Sequence, residues 1–405
     1  MGFEGAGPWA YRKLSGTELT KELTRLANAQ SIHGADVVSL QPCTISRSQD
    51  RFIVSQLDVP GGQWRFNGVF DGHAGEETVD HILNKLPSLF HSFLAEALRL
   101  AGDGELHHDD VSKVLVDSIS ELDNSITRDI LELFPGGPDG LEKLSDEQID
   151  TIVNDFESGG VNNAKLLRGM RGSTVLVALV DPSGRNLYVA SLGDCQAVLG
   201  TKTPSGTWKA ELLSQNHNGK DLAEVARIHR EHPGEDATCV LEDRVLGAIA
   251  VTRAIGDHEF RLPAIFTERV FVRTKPGFKL SSVLADWLPR NKTPPYLSNV
   301  ADVVHVDLTA TEREGRFLIM CSDGLTDLYL HDDDRKDINT LQEVADAIVN
   351  AFSDRSTTSG VDDNTALHLL REAMGGSDED KVSRNVTVEM AFRWMDDVTI
   401  IIQSI

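Results

Sequence analysis

The sequence predicts an α+β fold in which antiparallel sheets carry helices on their outer faces. Two observations lead there. Apolar and β-branched runs are joined by turn clusters, as in Thr174–Val180, Asp181-Pro182-Ser183-Gly184 and Asn186–Leu199, a hairpin pattern that implies antiparallel pairing. Between such runs lie long stretches whose apolar residues step by three or four, the period of a helix with one buried face. No internal repeat and no strong linker divides the 405 residues. The expected organisation is an N-terminal extension over residues 1–35, with a short helix, and a single domain over 36–405.

Along the chain, Ser15-Gly16-Thr17-Glu18 reads as a capping box opening a helix with Leu19, Leu23 and Leu26 on one face. Strands are expected around Arg51–Ser55 and Arg65–Phe70, joined through Pro60-Gly61-Gly62. A helical pattern then runs to Leu100, with a break or kink expected at Pro87. Val111, Leu115, Ile119, Leu122, Ile126, Ile130 and Leu133 predict a second long helix. Residues 134–168 are polar and acidic and read as an insertion. Asp221–His232 reads as a short helix stopped before Pro233, and the proline-rich stretch 275–300 as a long surface loop. Both 134–168 and 275–300 read as solvated loops rather than partner surfaces. Val303–Leu308 and Phe317–Ser322 read as strands, Asn339–Phe352 and Ala366–Met374 as helices. Asp354–Asn364 is a polar loop, and an acidic connector leads to a closing strand, Val398–Ile402.

Composition excludes several function classes. Hydrophobic residues make up 40% of the chain, enough for a sizeable core. The formal net charge of −24 repels nucleic acid and anionic membranes. It would also repel a phosphorylated substrate, unless bound divalent cations reverse the sign locally. Cys43, Cys195, Cys239 and Cys321 are scattered without a CxxC pair and read as reduced intracellular thiols. No apolar stretch approaches the ~20 residues that span a bilayer. Met1–Trp9 lacks the pattern of a secretory signal, and Ala6 stands where myristoylation of Gly2 would require a serine or threonine.

The chemistry is carried by aspartates at the ends of apolar runs. Val69-Phe70 leads into Asp71-Gly72-His73, Asn186–Leu192 into Gly193-Asp194, and Phe317–Ser322 into Asp323-Gly324, while Asp396-Asp397 opens the last run. Strand tips can gather side chains from distant sequence into one cleft. An oxygen-only set without HExxH or an EF-hand loop favours magnesium, manganese or calcium over zinc or copper. Two such cations about 3.5–4 Å apart are a common device for hydrolysing phosphate esters. Taken singly, each Asp-Gly is more simply a turn, since aspartate caps its own backbone and glycine supplies positive φ. Order and context change that reading.

The ordered segments are Ser48-Gln49-Asp50-Arg51-Phe52, Val69–Gly75, Gly172-Ser173-Thr174, Val189–Asp194, Arg244–Gly247 to Arg253–Asp257, Ser322–Leu325 and Asp396–Thr399. Together they resemble the type-2C, metal-dependent serine/threonine protein phosphatases over roughly residues 45 to 405. His73-Ala74-Gly75, Asn216-His217-Asn218, Glu231-His232-Pro233 and Pro294–Leu297 are most similar to the branch containing pyruvate dehydrogenase phosphatase. The resemblance implies two packed antiparallel β-sheets flanked by α-helices, a four-layer sandwich. It implies hydrolysis of phosphoserine and phosphothreonine in proteins by a metal-bridged hydroxide, without a phosphoenzyme intermediate. The expected cofactors are two Mg or Mn ions, with a weaker third.

The resemblance also assigns roles. Asp71 would bridge both metals, with the carbonyl of Gly72 on one. Asp323 and Asp396 would complete one site, and Asp50 would serve the other directly or through water. Asp194 would share the weaker third ion with Asp323. His73 would protonate the leaving oxygen, Asp397 is more simply a supporting or turn residue, and Arg244–Asp257 would form a flap near the cleft. Two positions depart from the family. Gln49 stands where many relatives have glutamate, and Ile45 stands where many have a phosphate-binding arginine. Arg47 is the nearby substitute, offset by two residues, while Ile45 facing the core is the alternative for that position. The expected partner is a phosphorylated protein, with no nucleic acid and no membrane, in the cytoplasm or the mitochondrial matrix; oligomeric state is open. The rival reading is a catalytically weak or silent member acting as a regulatory binding module.

Overall fold

The computed structural model describes residues 9–102, 106–279, 283–309, 315–332, 334–353 and 364–405. The expectations for Gly2 and Ala6, and for the polar loop over 354–363, lie outside the described residues.

The strands in chain order are β1 (Gln30–Ile32), β2 (Ala35–Leu40), β3 (Arg51–Val59), β4 (Gly62–Phe70), β5 (Gly72–His73), β6 (Gly172–Ser173), β7 (Val175–Val180), β8 (Asn186–Leu192), β9 (Gln196–Lys202), β10 (Trp208–Leu212), β11 (Val240–Leu241), β12 (Arg244–Val245), β13 (Ile255–Gly256), β14 (Asp302–Asp307), β15 (Arg316–Cys321) and β16 (Val398–Ser404). One large sheet has the order β1-β2-β16-β15-β9-β10 and the other β14-β8-β7-β4-β3. Two small sheets, β13-β6-β5 and β11-β12, sit beside them.

Period-2 alternation explains why two sheets stack. In β15, Leu318 and Met320 face the opposite sheet, whereas Phe317, Ile319 and Cys321 face helices. In β7, Leu176, Ala178 and Val180 join the same inter-sheet core, and Val175, Val177 and Leu179 turn outward. Helices Glu77–Ala101 and His108–Glu132 cover one outer face. Helices Gly16–Leu26, Leu341–Ser353, Thr365–Met374 and Glu379–Thr387 cover the other. The result is the expected helix–sheet–sheet–helix sandwich.

Local expectations fail where tertiary contacts override local signals. Helix Glu77–Ala101 runs through Pro87 without interruption. A proline inside a helix costs about 3 kcal/mol, but Ile82, Leu86, Phe90 and Leu94 are all buried on one stripe that spans it. Each such side chain contributes roughly 1.5–3 kcal/mol, so packing wins. Ser15 makes no side-chain cap; the Gly16 amide donates to Glu379 Oε1 at 2.8 Å instead.

Residues 134–168 are not a solvated loop. They fold into helices Gly137–Glu142, Asp146–Val153 and most of Val161–Met170, and Leu141, Ile149, Val153, Leu166 and Leu167 are buried in the outer core. The segment 275–300 is likewise pinned by a buried Trp287 and Tyr296. The acidic connector before β16 holds helix Glu379–Thr387.

Candidate active site

Pairing register brings the strand tips to one end of the sandwich. Arg51 lies opposite Phe70 in β3 and β4, so Asp50 and Asp71 flank the same edge. Cys321 lies opposite Gln196 on one side and Ile400 on the other, which draws Asp194, Asp323 and Asp396 together from three segments. Gly193, at φ +107°, makes the turn between β8 and β9, and a Cβ there would meet Thr174 Cγ2 at 2.5 Å. The chain therefore crosses between sheets just before Asp194.

One carboxylate oxygen from each of Asp71, Asp194 and Asp323 lies within 4.8 Å of the other two. Asp50 stands behind this group, buried, accepting from Ser322 Oγ at 2.7 Å. Asp396 is exposed, ion-paired with Arg393, and accepts from the Asp397 amide at 2.8 Å. Asp397 is buried and accepts from Gln41 Nε2 and the Gln49 amide, both at 2.8 Å. Gln49 in turn accepts from the Gly75 amide at 3.0 Å, fixing the turn after His73. Gly72 leaves no room for a side chain, because a Cβ would come within 2.6 Å of the Gln49 carbonyl. His73 Nε2 lies 2.7 Å from Asp257 Oδ2.

Electrostatics follow from crowding. Burial raises the Asp71 pKa well above the carboxylate range, and Asp323, Asp50, Asp396 and Asp194 add to it. Asp323 is raised by burial and then by Asp194 and Asp396. Burial also raises Asp194, against a hydrogen bond from Asn218 at 2.8 Å. Burial and the neighbouring Asp397 push Asp50 up to about 7. Burial alone would lower His73, but the charge and hydrogen bond of Asp257 outweigh it and raise the pKa.

These residues suit a hard cation. Asp50 Oδ1 and Asp323 Oδ1 are buried without a hydrogen-bond partner among the described residues, and an uncompensated cluster of buried carboxylates is costly unless a positive charge joins it. The donors are all oxygen, as magnesium, manganese or calcium require.

The cleft above them has a volume of about 460 Å³ and is lined by Asp71, Gly72, His73, Asp194, Asp323 and Asp396. Arg244, Lys279 and Arg393 supply its cations, and Ala248–Val251 of the expected flap form one wall. Asp257, the last residue of that segment, is instead fully buried behind His73. Arg47 is not among the lining residues; its side chain is 78% exposed and paired with Glu76 at 3.0 Å. Ile45 is 65% exposed, so it faces neither the core nor the cleft.

A family model described as Protein phosphatase 2C matches residues 111–365, more than half of the chain. The chain belongs to this family. It is 29% identical over 381 residues to a protein phosphatase 2C homolog of Schizosaccharomyces pombe, covering 90% of this chain and 78% of that protein. It is 26% identical over 391 residues to the mitochondrial [pyruvate dehydrogenase [acetyl-transferring]]-phosphatase 2 of Homo sapiens, covering 82% and 71% respectively. Among solved structures, the serine-threonine phosphatase 2C of Toxoplasma gondii superposes with a TM-score of 0.50 at 17% identity. That alignment covers 92% of this chain and 96% of the other, and speaks for the fold alone. The protein is a metal-dependent protein serine/threonine phosphatase, and a silent binding module is not the favoured reading.

Three residues in or behind the phosphatase cleft received no role from the sequence. Asp327 sits one turn after Asp323 on helix Asp323–Leu330, and burial together with Asp396 and Asp194 raises its pKa. The i, i+4 spacing was its available signal. Asp257 closes one of the family-like segments, but its contact with His73, like the place of Lys279, depends on how distant loops fold back and has no signal in the sequence.

Proposed function

We propose that this phosphatase hydrolyses phosphoserine and phosphothreonine esters of proteins with two Mg or Mn ions at the aspartate-lined floor of the cleft. The carrying observation is the convergence of Asp71, Asp194 and Asp323 from three separate strand tips. Asp71 would touch both ions, with the Gly72 carbonyl beside it. Asp323 and Asp396 would complete one site and Asp50 would support the other. Asp194, which shares the acidic group with Asp323, would hold a weaker third ion. When bound, the ions supply charge neutralisation and water activation. Around them the chain does the rest. The wall Ala248–Val251 limits water, and His73 delivers a proton to the departing oxygen. Arg244 and Lys279, rather than Arg47, face the phosphoryl group across the cleft.

The names of the relatives make phosphorylated pyruvate dehydrogenase the first protein substrate to try, and a mitochondrial compartment the first to examine. Calorimetric titration with Mn²⁺ tests the ion assignment. The wild-type protein should show two tight sites and one weak site, and Asp194→Ala only the two tight ones. Loss of a tight site in that variant would contradict the placement of Asp194.

A further inference from the structure

The small sheet β13-β6-β5 does more than close an edge. His73 is the last residue of β5, Gly172 pairs with it in β6, and β13 pairs with β6 through Ile255–Ser173 and Gly256–Gly172. The residue that follows β13 is Asp257. Its carboxylate is completely buried, and Oδ2 meets His73 Nε2 at 2.7 Å. Oδ1 has no hydrogen-bond partner among the described residues, so the side chain is committed to the histidine.

Two further observations indicate that this contact is built rather than incidental. A Cβ on Gly172 would lie 2.0 Å from His73 Nε2 and 2.1 Å from Asp257 Oδ2, so the pair can form only over a glycine. Asp257 also holds a left-handed backbone, φ +28° and ψ 49°, a conformation that is strained for a non-glycine residue. The surroundings enforce it. The Asp257 amide donates to the Arg171 carbonyl at 3.1 Å, and the Gly256 amide to buried Asp123 Oδ1 at 2.9 Å.

We propose that Asp257 is the positioning residue for His73, fixing the ring's orientation and tautomer through Nε2 so that Nδ1 serves the cleft. The inference rests on the reading of His73 as general acid. In the charged ring both nitrogens carry hydrogen. Nε2–H donates to Asp257, and the Nδ1 proton passes to the serine or threonine oxygen as its bond to phosphorus breaks. The neutral Nε2–H tautomer remains, already matched to the carboxylate. Asp257 keeps its contact with Nε2 throughout and touches no substrate.

The test compares Asp257→Asn, His73→Gln and the double variant on a phosphothreonine peptide and on p-nitrophenyl phosphate, whose leaving group needs little protonation. Asp257→Asn should lose kcat on the peptide by roughly 10²-fold, with KM within about twofold, and lose far less on p-nitrophenyl phosphate. The double variant should be no slower than His73→Gln alone. Equal losses on both substrates, or losses that multiply in the double variant, would overturn the positioning role. If His73→Gln itself shows no leaving-group dependence, the acid reading of His73 fails, and that outcome is separate from a failure of Asp257. Nitrogen-15 histidine NMR of the wild-type protein gives a second arm that needs no folded Asp257 variant. At a pH high enough to leave the ring neutral, the His73 signal should report the Nε2–H tautomer, and a neutral Nδ1–H tautomer would overturn the proposal.

Discussion

Asp50, Asp71, Asp194 and Asp323 are gathered in a confined volume, and burial first, with neighbouring carboxylates adding to it, raises the pKa of each. This makes the metal-free protein sensitive to pH in a defined sense. The folded chain holds the Asp50 proton where the unfolded chain, with an ordinary carboxyl near 4, has lost it. Its contribution to stability is therefore present below about pH 4 and lost as pH rises through about 7. Thermal unfolding of the metal-stripped protein should show Tm falling between pH 5 and pH 8, with a shallower fall in Asp50→Asn. A Tm that climbs over that range would contradict the crowded-carboxylate picture. At the same scale, Asp71, Asp194, Asp323 and Asp396 were legible in sequence because each ends or begins an apolar run. The Asp257 contact with His73 was not, since nothing in a linear chain marks residues 73, 172 and 257 as neighbours. Arg47 is close to Ile45 in sequence, but on the surface its guanidinium pairs with Glu76.

At the scale of elements, hydrophobic period found the long strands and helices of the core but not β1, β2, β10 or helices such as Gly137–Glu142, Asp323–Leu330 and Glu379–Thr387, whose apolar stripes are short; it also erred where a local breaker met a strong buried stripe. Helix Glu77–Ala101 keeps Pro87 because four buried side chains hold both halves. Pro87→Ala should restore the missing backbone hydrogen bond and stabilise the protein by about 1–3 kcal/mol, less than a peptide scale gives because proline also restricts the unfolded chain. Chemical denaturation would measure it, and an unchanged or lower stability would mean the helix has adapted fully to the proline. The segment 275–300 offers a functional check. Lys279 lines the cleft and has no ion pair among the described residues, whereas Ile45 lies outside. Lys279→Ala should raise KM for a small phosphoester by about tenfold, equivalent to ~1.4 kcal/mol, while Ile45→Arg should fold normally and leave KM unchanged. The reverse pattern would return the phosphate contact to the turn around Ile45.

For the molecule as a whole, the four-layer sandwich could be anticipated from alternating runs and amphipathic helices, but the way residues 134–168 join its outer core could not. That segment is acidic on average, and only its few apolar residues, Leu141, Ile149 and Val153 among them, carry the packing signal. The net charge of −24 also has a kinetic consequence. It slows the approach of an acidic phosphopeptide at low ionic strength, and salt screens that repulsion over a Debye length of about 10 Å at 0.1 M. kcat/KM for an acidic phosphopeptide should therefore rise with salt, and for a peptide flanked by lysines it should fall. Identical salt responses would indicate that the local field of the cleft, with Arg244, Lys279 and Arg393 at its mouth, outweighs the global charge.

The central claim is that clustered aspartates make this cleft a metal-dependent phosphatase site. Its most direct test is hydrolysis of one phosphothreonine peptide by metal-stripped protein, before and after addition of Mn²⁺, in the wild type and in Asp71→Asn. The stripped wild type should be inactive and recover on adding Mn²⁺, while Asp71→Asn should stay folded and fail to recover. Hydrolysis that persists without metal, or full activity in Asp71→Asn, would contradict the account.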